Sequence, residues 1–242
     1  MKAYEQWYSN RLEQDISLVR WGHYGRPVLV FPTAGGDSEE IERHHLVDHC
    51  QHLIDSGRIK LYSCDSIAGK AMVSKLGTPA YRMRLLNHYQ DVIGSEVVPA
   101  IVNDCGGEAQ SVIVSGSSIG AFNSIAILCR FPELFGAAIA MSGSYHLQRF
   151  YDNQFTEDLY FSSPLHFLPG LEGPHLDLLR ERFVIVATGS GAWESPDESW
   201  EMGDALGAKG IPNRVDIWGE EWIHDWPTWW KMLPTYLEEL CP

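Results

Sequence analysis

A serine becomes a nucleophile only when a neighbouring base takes its proton and a third group orients that base. Residues 116–120 read Gly116-Ser117-Ser118-Ile119-Gly120, a G-x-S-x-G spacing centred on Ser118. The apolar run Val112-Ile113-Val114 leads in, and a helical pattern starting at Ile119 leads out. A sharp strand-to-helix turn of this kind strains the serine backbone, and a side chain at either glycine would crowd it. The turn also aims the free N–H groups of a helix N-terminus at the hydroxyl. Where such a turn is catalytic, the chain order is serine, acid, histidine. Of ten histidines, only His224 follows the last strand-like run, which makes it the candidate base. The acid should lie in the loop after the strand-like run that starts at Phe183, where Glu194 and Asp197 both stand. Asp197 follows Pro196 at the start of a helical pattern and could serve there as a charge complementing the helix dipole. Glu194 has no such competing task and is preferred, with Asp197 as the alternative acid. Two backbone N–H groups should face the oxyanion. One is that of Ile119; the other should come from Pro32-Thr33-Ala34-Gly35-Gly36-Asp37, where Ala34 is the choice. This chemistry requires no metal and no cofactor.

Such groups converge only on a scaffold that alternates strands and helices. Short β-rich runs at 16–21, 27–31, 59–64, 111–115, 137–141, 183–187 and 215–218 are separated by helical patterns at 38–56, 81–103, 119–130, 199–209 and 227–240. Runs such as Val28-Leu29-Val30-Phe31 are apolar throughout, as strands buried on both faces of a parallel sheet are. The expectation is an α/β fold, a mostly parallel central sheet with helices on both faces. Pro227 suits the first turn of the last helix, and Gly210 suits the cap of the one before it. The stretch 145–182 breaks the rhythm: it is irregular, aromatic, and carries Pro164, Pro169 and Pro174. It reads as a lid-like excursion over the site, within one domain spanning 1–242.

Together these residues resemble the putative esterase family of α/β-hydrolases, which includes S-formylglutathione hydrolases, feruloyl esterases and the antigen 85 mycolyltransferases. The resemblance runs from about Pro27 to Leu240. It is most specific at Val98-Pro99-Ala100-Ile101, the turn at Ser118, Phe131-Pro132-Glu133-Leu134-Phe135-Gly136 and Met141-Ser142-Gly143. Gly210-Ile211-Pro212 and His224-Asp225-Trp226 with Trp229 also match its pattern. The resemblance implies the α/β-hydrolase fold, Ser118 as nucleophile, His224 as base, and an acid in the loop that holds Glu194. Two positions depart from the family pattern. Pro32-Thr33 stand where members often carry His-Gly, and Ser117 stands where many have Gln or His.

The acids, 32 against 18 bases, give a formal net charge of −14 over 242 residues. That charge argues against nucleic acid or an anionic membrane as partner. Five cysteines in no CxxC spacing read as reduced thiols in a cytoplasmic protein. No apolar segment follows the basic start, so no leader is expected. His44, His45, His49 and His52 share one helical stretch; His45 and His49 have ligand-like spacing, but a solvated helix face is the better reading. Seven of the nine tryptophans fall between Trp193 and Trp230. Trp193 and Trp222, in the acid and base loops, are candidates to line a substrate pocket. Five acids and no base lie between Glu194 and Asp204, which favours neutral or cationic substrates.

The expected function is therefore a serine carboxylester hydrolase working through an acyl-enzyme on a small-molecule ester. The alternatives are an acyltransferase on the same fold, an amidase or peptidase, or a non-catalytic binding protein. A homo-oligomer is compatible with this reading.

Overall fold

The computed structural model describes residues 1–107 and 111–242. Eight strands form one sheet: β1 (Lys2–Ser9), β2 (Gln14–Trp21), β3 (Arg26–Phe31), β4 (Ile59–Cys64), β5 (Val112–Ser117), β6 (Phe135–Met141), β7 (Phe183–Thr188) and β8 (Asn213–Ile217). Their order is β1-β2-β4-β3-β5-β6-β7-β8. β1 and β2 run antiparallel to their neighbours, and all pairings from β4 to β8 are parallel. β2 alone is reversed, so the other seven strands end on one edge. From β3 the chain steps sideways to β4, then returns across to β5. The crevice between the ends of β3 and β5 is where the winding reverses, the place in such sheets where ligands bind.

Period-two alternation explains the double burial. In β3, Leu29 and Phe31 join one apolar cluster while Val28 and Val30 join the other; in β7, Val184 and Val186 oppose Ile185 and Ala187. The helix Ile119–Arg130, here the elbow helix, is buried along nearly its whole length and packs on the first face. The final helix, Trp226–Leu240, packs Trp229, Met232, Leu233 and Leu237 on the second. Pro227 does sit in its first turn. Gly210 adopts φ +71° just after the helix Pro196–Ala208, and the adjoining Ile211 N–H closes on Leu206 O at 3.1 Å.

Four expectations change. β1 was not foreseen; it is an edge strand with most residues exposed, so no burial pattern marks it. The stretch 38–56 is three short helices, because His45 takes a left-handed conformation at φ 63° and breaks the first from the second. The stretch 81–103 runs from Pro79 through a π-turn at Ile93–Val97 to Asp104; Pro99 follows that turn and lacks the N–H a regular helix needs. The excursion 145–182 is less irregular than its sequence suggests. It holds short helices, and Tyr145, Tyr151, Leu159, Leu168, Leu176 and Leu179 are buried in the same cluster as the elbow helix. Among the described residues, no helix is long and apolar enough to cross a membrane.

Candidate active site

Ser118 stands at the end of β5 with φ 58° and ψ −118°, a conformation that non-glycine residues rarely hold. Strain of this kind costs on the order of 1–3 kcal/mol and persists only when the surroundings enforce it. They do so here. The Ser118 N–H donates to Met141 O at 3.0 Å, and its carbonyl accepts from Ser144 N at 3.3 Å. The two glycines of the turn pack against each other: a Cβ on Gly116 would fall 2.4 Å from the Gly120 backbone. A Cβ on Gly120 would fall 2.6 Å from Phe31 O and 2.8 Å from Pro32 O, so the elbow helix presses directly on the loop after β3. Gly120→Ala is accordingly expected to cost about 1–3 kcal/mol and to lower ester turnover by displacing that loop; melting and kcat measured together check it.

The loop after β3 is fixed by Glu40, a buried carboxylate that accepts from Thr33 N and from Thr33 Oγ1, both at 2.7 Å. Thr33 N–H is therefore occupied, and Gly36 N–H bonds Thr33 O. Ala34 N–H and Ile119 N–H have no acceptor among the described residues. Nothing in the sequence marks Glu40, since a carboxylate in a helical stretch carries no signal of the loop it holds.

The loops that hold Glu194 and His224 are joined by their backbones. Trp218 N–H bonds Thr188 O at 2.8 Å, Gly191 N–H bonds Trp222 O at 3.0 Å, and His224 N–H bonds Ala192 O at 3.0 Å. This pairing brings His224 Nδ1 to 3.6 Å from Glu194 Oε2. The Glu194 side chain is fully buried, and that of His224 is 23% exposed. A buried carboxylate needs partners. Glu194 has Ser142 Oγ donating to Oε1 at 2.6 Å and Thr188 Oγ1 donating to Oε2 at 2.8 Å. Burial pushes the Glu194 carboxyl toward a higher pKa; His224, Ser142 and Thr188 together outweigh it and hold the group below the ordinary range. Asp197 is exposed in the first turn of the helix Pro196–Ala208, the dipole-facing place foreseen for it. Asp225 caps the final helix through Trp226 N–H rather than meeting the imidazole.

Ser118, Glu194 and His224 therefore share the carboxyl edge of the sheet, linked through Met141, Ser142 and Glu194. No hydrogen bond joins Ser118 to His224 in this arrangement. Such contacts are often loose without substrate and tighten in the reacting complex. Trp193 has φ 68° and is 91% exposed, so its ring lines no enclosed wall. Trp222 stands edge-to-face on Trp218 at 4.9 Å. The histidines at 44 and 49 stack on Trp226 and Trp230 of the final helix. A cavity of about 590 Å³ lies elsewhere, lined by Arg130, Phe131, Tyr160 and Phe167. It sits at the far end of the elbow helix, about 18 Å from Ser118 at 1.5 Å per residue. Excursion residues between Tyr160 and His175 line that cavity, whereas the opening of the excursion follows Ser144, whose N–H bonds the Ser118 carbonyl.

That opening is fixed by Glu198. Its carboxylate accepts from Tyr145 N at 2.7 Å, His146 N at 3.3 Å and Arg149 Nη1 at 2.8 Å. Burial raises its pKa, but the Tyr145 N–H, the Arg149 charge and the His146 N–H outweigh it and lower the group overall. A depressed carboxyl contributes stability above its unfolded value, near 4.5, that is lost as pH falls through the lower folded value. Glu198→Gln should therefore lose about 1–3 kcal/mol at pH 7, and the deficit should shrink as pH drops below 4. Melting curves from pH 7 to pH 3 check this; a deficit constant with pH would contradict it.

Comparison with known proteins agrees with the fold. The family model described as Putative esterase matches residues 73–220. No curated protein sequence matches the chain. A ferulic acid esterase superposes with TM-score 0.75 at 18% identity, covering 100% of this chain and 97% of that one. MPT51 of Mycobacterium tuberculosis gives 0.70 at 14% identity, covering 99% and 98%. An S-formylglutathione hydrolase of Agrobacterium tumefaciens gives 0.69 at 11%, covering 99% and 92%. At such identities the likeness speaks for a shared α/β-hydrolase architecture.

Proposed function

This chain belongs to the Putative esterase family of serine hydrolases, and we propose that it cleaves carboxylic esters with a Ser118–His224–Glu194 triad. The observation that carries the reading is the buried Glu194 carboxylate set against His224 on the same sheet edge as the strained Ser118. His224 Nε2 takes the Ser118 proton as Oγ attacks the ester carbonyl. Glu194 holds the ring through Nδ1 and stabilises the imidazolium that forms. The N–H groups of Ile119 and Ala34 receive the oxyanion. His224 returns the proton to the departing alcohol, leaving an acyl group on Ser118. Water, deprotonated by His224, then attacks the acyl carbon and releases the acid.

The acids around the site favour a neutral or cationic ester over an anionic one, although Arg149 offsets Glu198. The unpaired state of all five cysteines is compatible with a reducing compartment. The test is turnover of a short p-nitrophenyl ester with and without a competing alcohol. Free acid as the main product supports a hydrolase. Transfer to the alcohol as the main outcome would favour the acyltransferase, and no turnover of any ester would overturn the reading.

A further inference from the structure

We infer that Ser142, directed by Trp229, is the positioning residue that aims Glu194 at His224; the inference rests on the triad proposed above. Ser142 directly follows β6 and has φ 51°, a left-handed conformation in a residue other than glycine. Its N–H is tied to Ala187 O at 2.7 Å. A glycine would occupy this conformation with less strain, but it would lack the hydroxyl, which makes two bonds. Ser142 Oγ donates to Glu194 Oε1 at 2.6 Å and accepts from Trp229 Nε1 at 3.0 Å.

The direction of these bonds is fixed by chemistry. An indole N–H can only donate, and a serine hydroxyl has one proton. With Trp229 occupying a lone pair of Oγ, that proton is left for the carboxylate. A chain of this kind polarises each member and strengthens the next bond. Thr188 holds the other oxygen, Oε2, which also faces His224 Nδ1. Both carboxylate oxygens are thus pinned and the plane of the group is set. Trp229 touches the base as well: its ring stands edge-to-face to the His224 ring, with centroids 5.4 Å apart. Trp229, Ser142, Glu194 and His224 form a closed circuit in which one buried tryptophan bears on both acid and base.

The test compares wild type, Ser142→Gly, Ser142→Ala and Trp229→Phe. Ser142→Gly relieves the strained backbone, which offsets part of the stability lost with the hydroxyl, so it should melt higher than Ser142→Ala. If the hydroxyl aims the acid, kcat for a p-nitrophenyl ester should nonetheless fall about ten- to a hundredfold in Ser142→Gly, the size of one hydrogen bond to a charged group. KM should stay within about twofold, because ground-state binding is untouched. Trp229→Phe keeps the ring against His224 and frees the hydroxyl to turn, so its loss should be smaller than that of Ser142→Ala. A second readout needs no turnover. The far-downfield proton resonance of His224 Nδ1–H should be present in wild type and shifted or lost in Ser142→Gly. A Ser142→Gly protein with wild-type kcat, or with an unmoved Nδ1 proton signal, would overturn the inference. A wild type that shows the signal and its loss on substitution, yet cleaves no ester, would overturn the esterase reading and leave the positioning circuit standing.

Discussion

Ser118→Ala should lower kcat for ester hydrolysis by about 10⁶-fold, to a level set by binding and the oxyanion donors alone. The substitution removes only Oγ. Alanine keeps the Cβ, so the backbone at φ 58° is asked for nothing new and the fold should be unchanged. The turn is held by Met141, Ser144 and the contact between Gly116 and Gly120, none of which involves the hydroxyl. His224→Ala should cost about as much, and the double variant little more than either, because a nucleophile and its base act as one unit. Steady-state kinetics beside a melting curve checks both points. Multiplicative losses in the double variant would mean that the two side chains act independently.

Glu194→Gln should lower kcat by about 10⁴-fold, whereas Asp197→Asn should change it by less than twofold. Glutamine has nearly the shape of glutamate but no charge, and it adds an N–H₂ group where only acceptors are wanted. Ser142 and Thr188 both point hydroxyl protons at this group, and His224 Nδ1 faces it. An amide would set a donor against one of these donors and would hold the imidazole in the wrong tautomer. It would also leave an imidazolium without a counter-charge in a buried setting. Asp197 is in solvent at a helix start, so its loss should appear as a small change in stability only. The reverse pattern, with Asp197→Asn the damaging change, would reassign the acid.

The parts of this molecule that could be read from sequence are those where one physical requirement dominates. Strands buried on both faces favour unbroken apolar runs, as at residues 28–31 and 183–186, which made β3 and β7 legible to within one residue. The elbow needs glycine at two positions because backbones meet there, and that requirement shows in the letters. β1 was hidden because an edge strand exposed to water is under no such demand. The left-handed break at His45 is a conformation a histidine rarely takes, so nothing local announces it. Trp193 reads as a pocket wall from its place in the loop that holds Glu194, but the residue is 91% exposed. Ser142 was visible only as part of a resemblance to a family pattern. Its work depends on Trp229, eighty-seven residues away, reaching it across the sheet edge. Glu40 and Glu198 were opaque for the same reason, since each carboxylate serves a segment distant in the chain or on another element.

The central claim is that Ser118 is an activated nucleophile. Treating the purified protein with a fluorophosphonate probe, then weighing the intact protein and mapping the adduct, tests it without knowledge of the natural ester. One adduct per chain, located on Ser118 and absent from Ser118→Ala, is the expected result. A wild type that takes up no probe, or an adduct on a different serine that persists in Ser118→Ala, would contradict it.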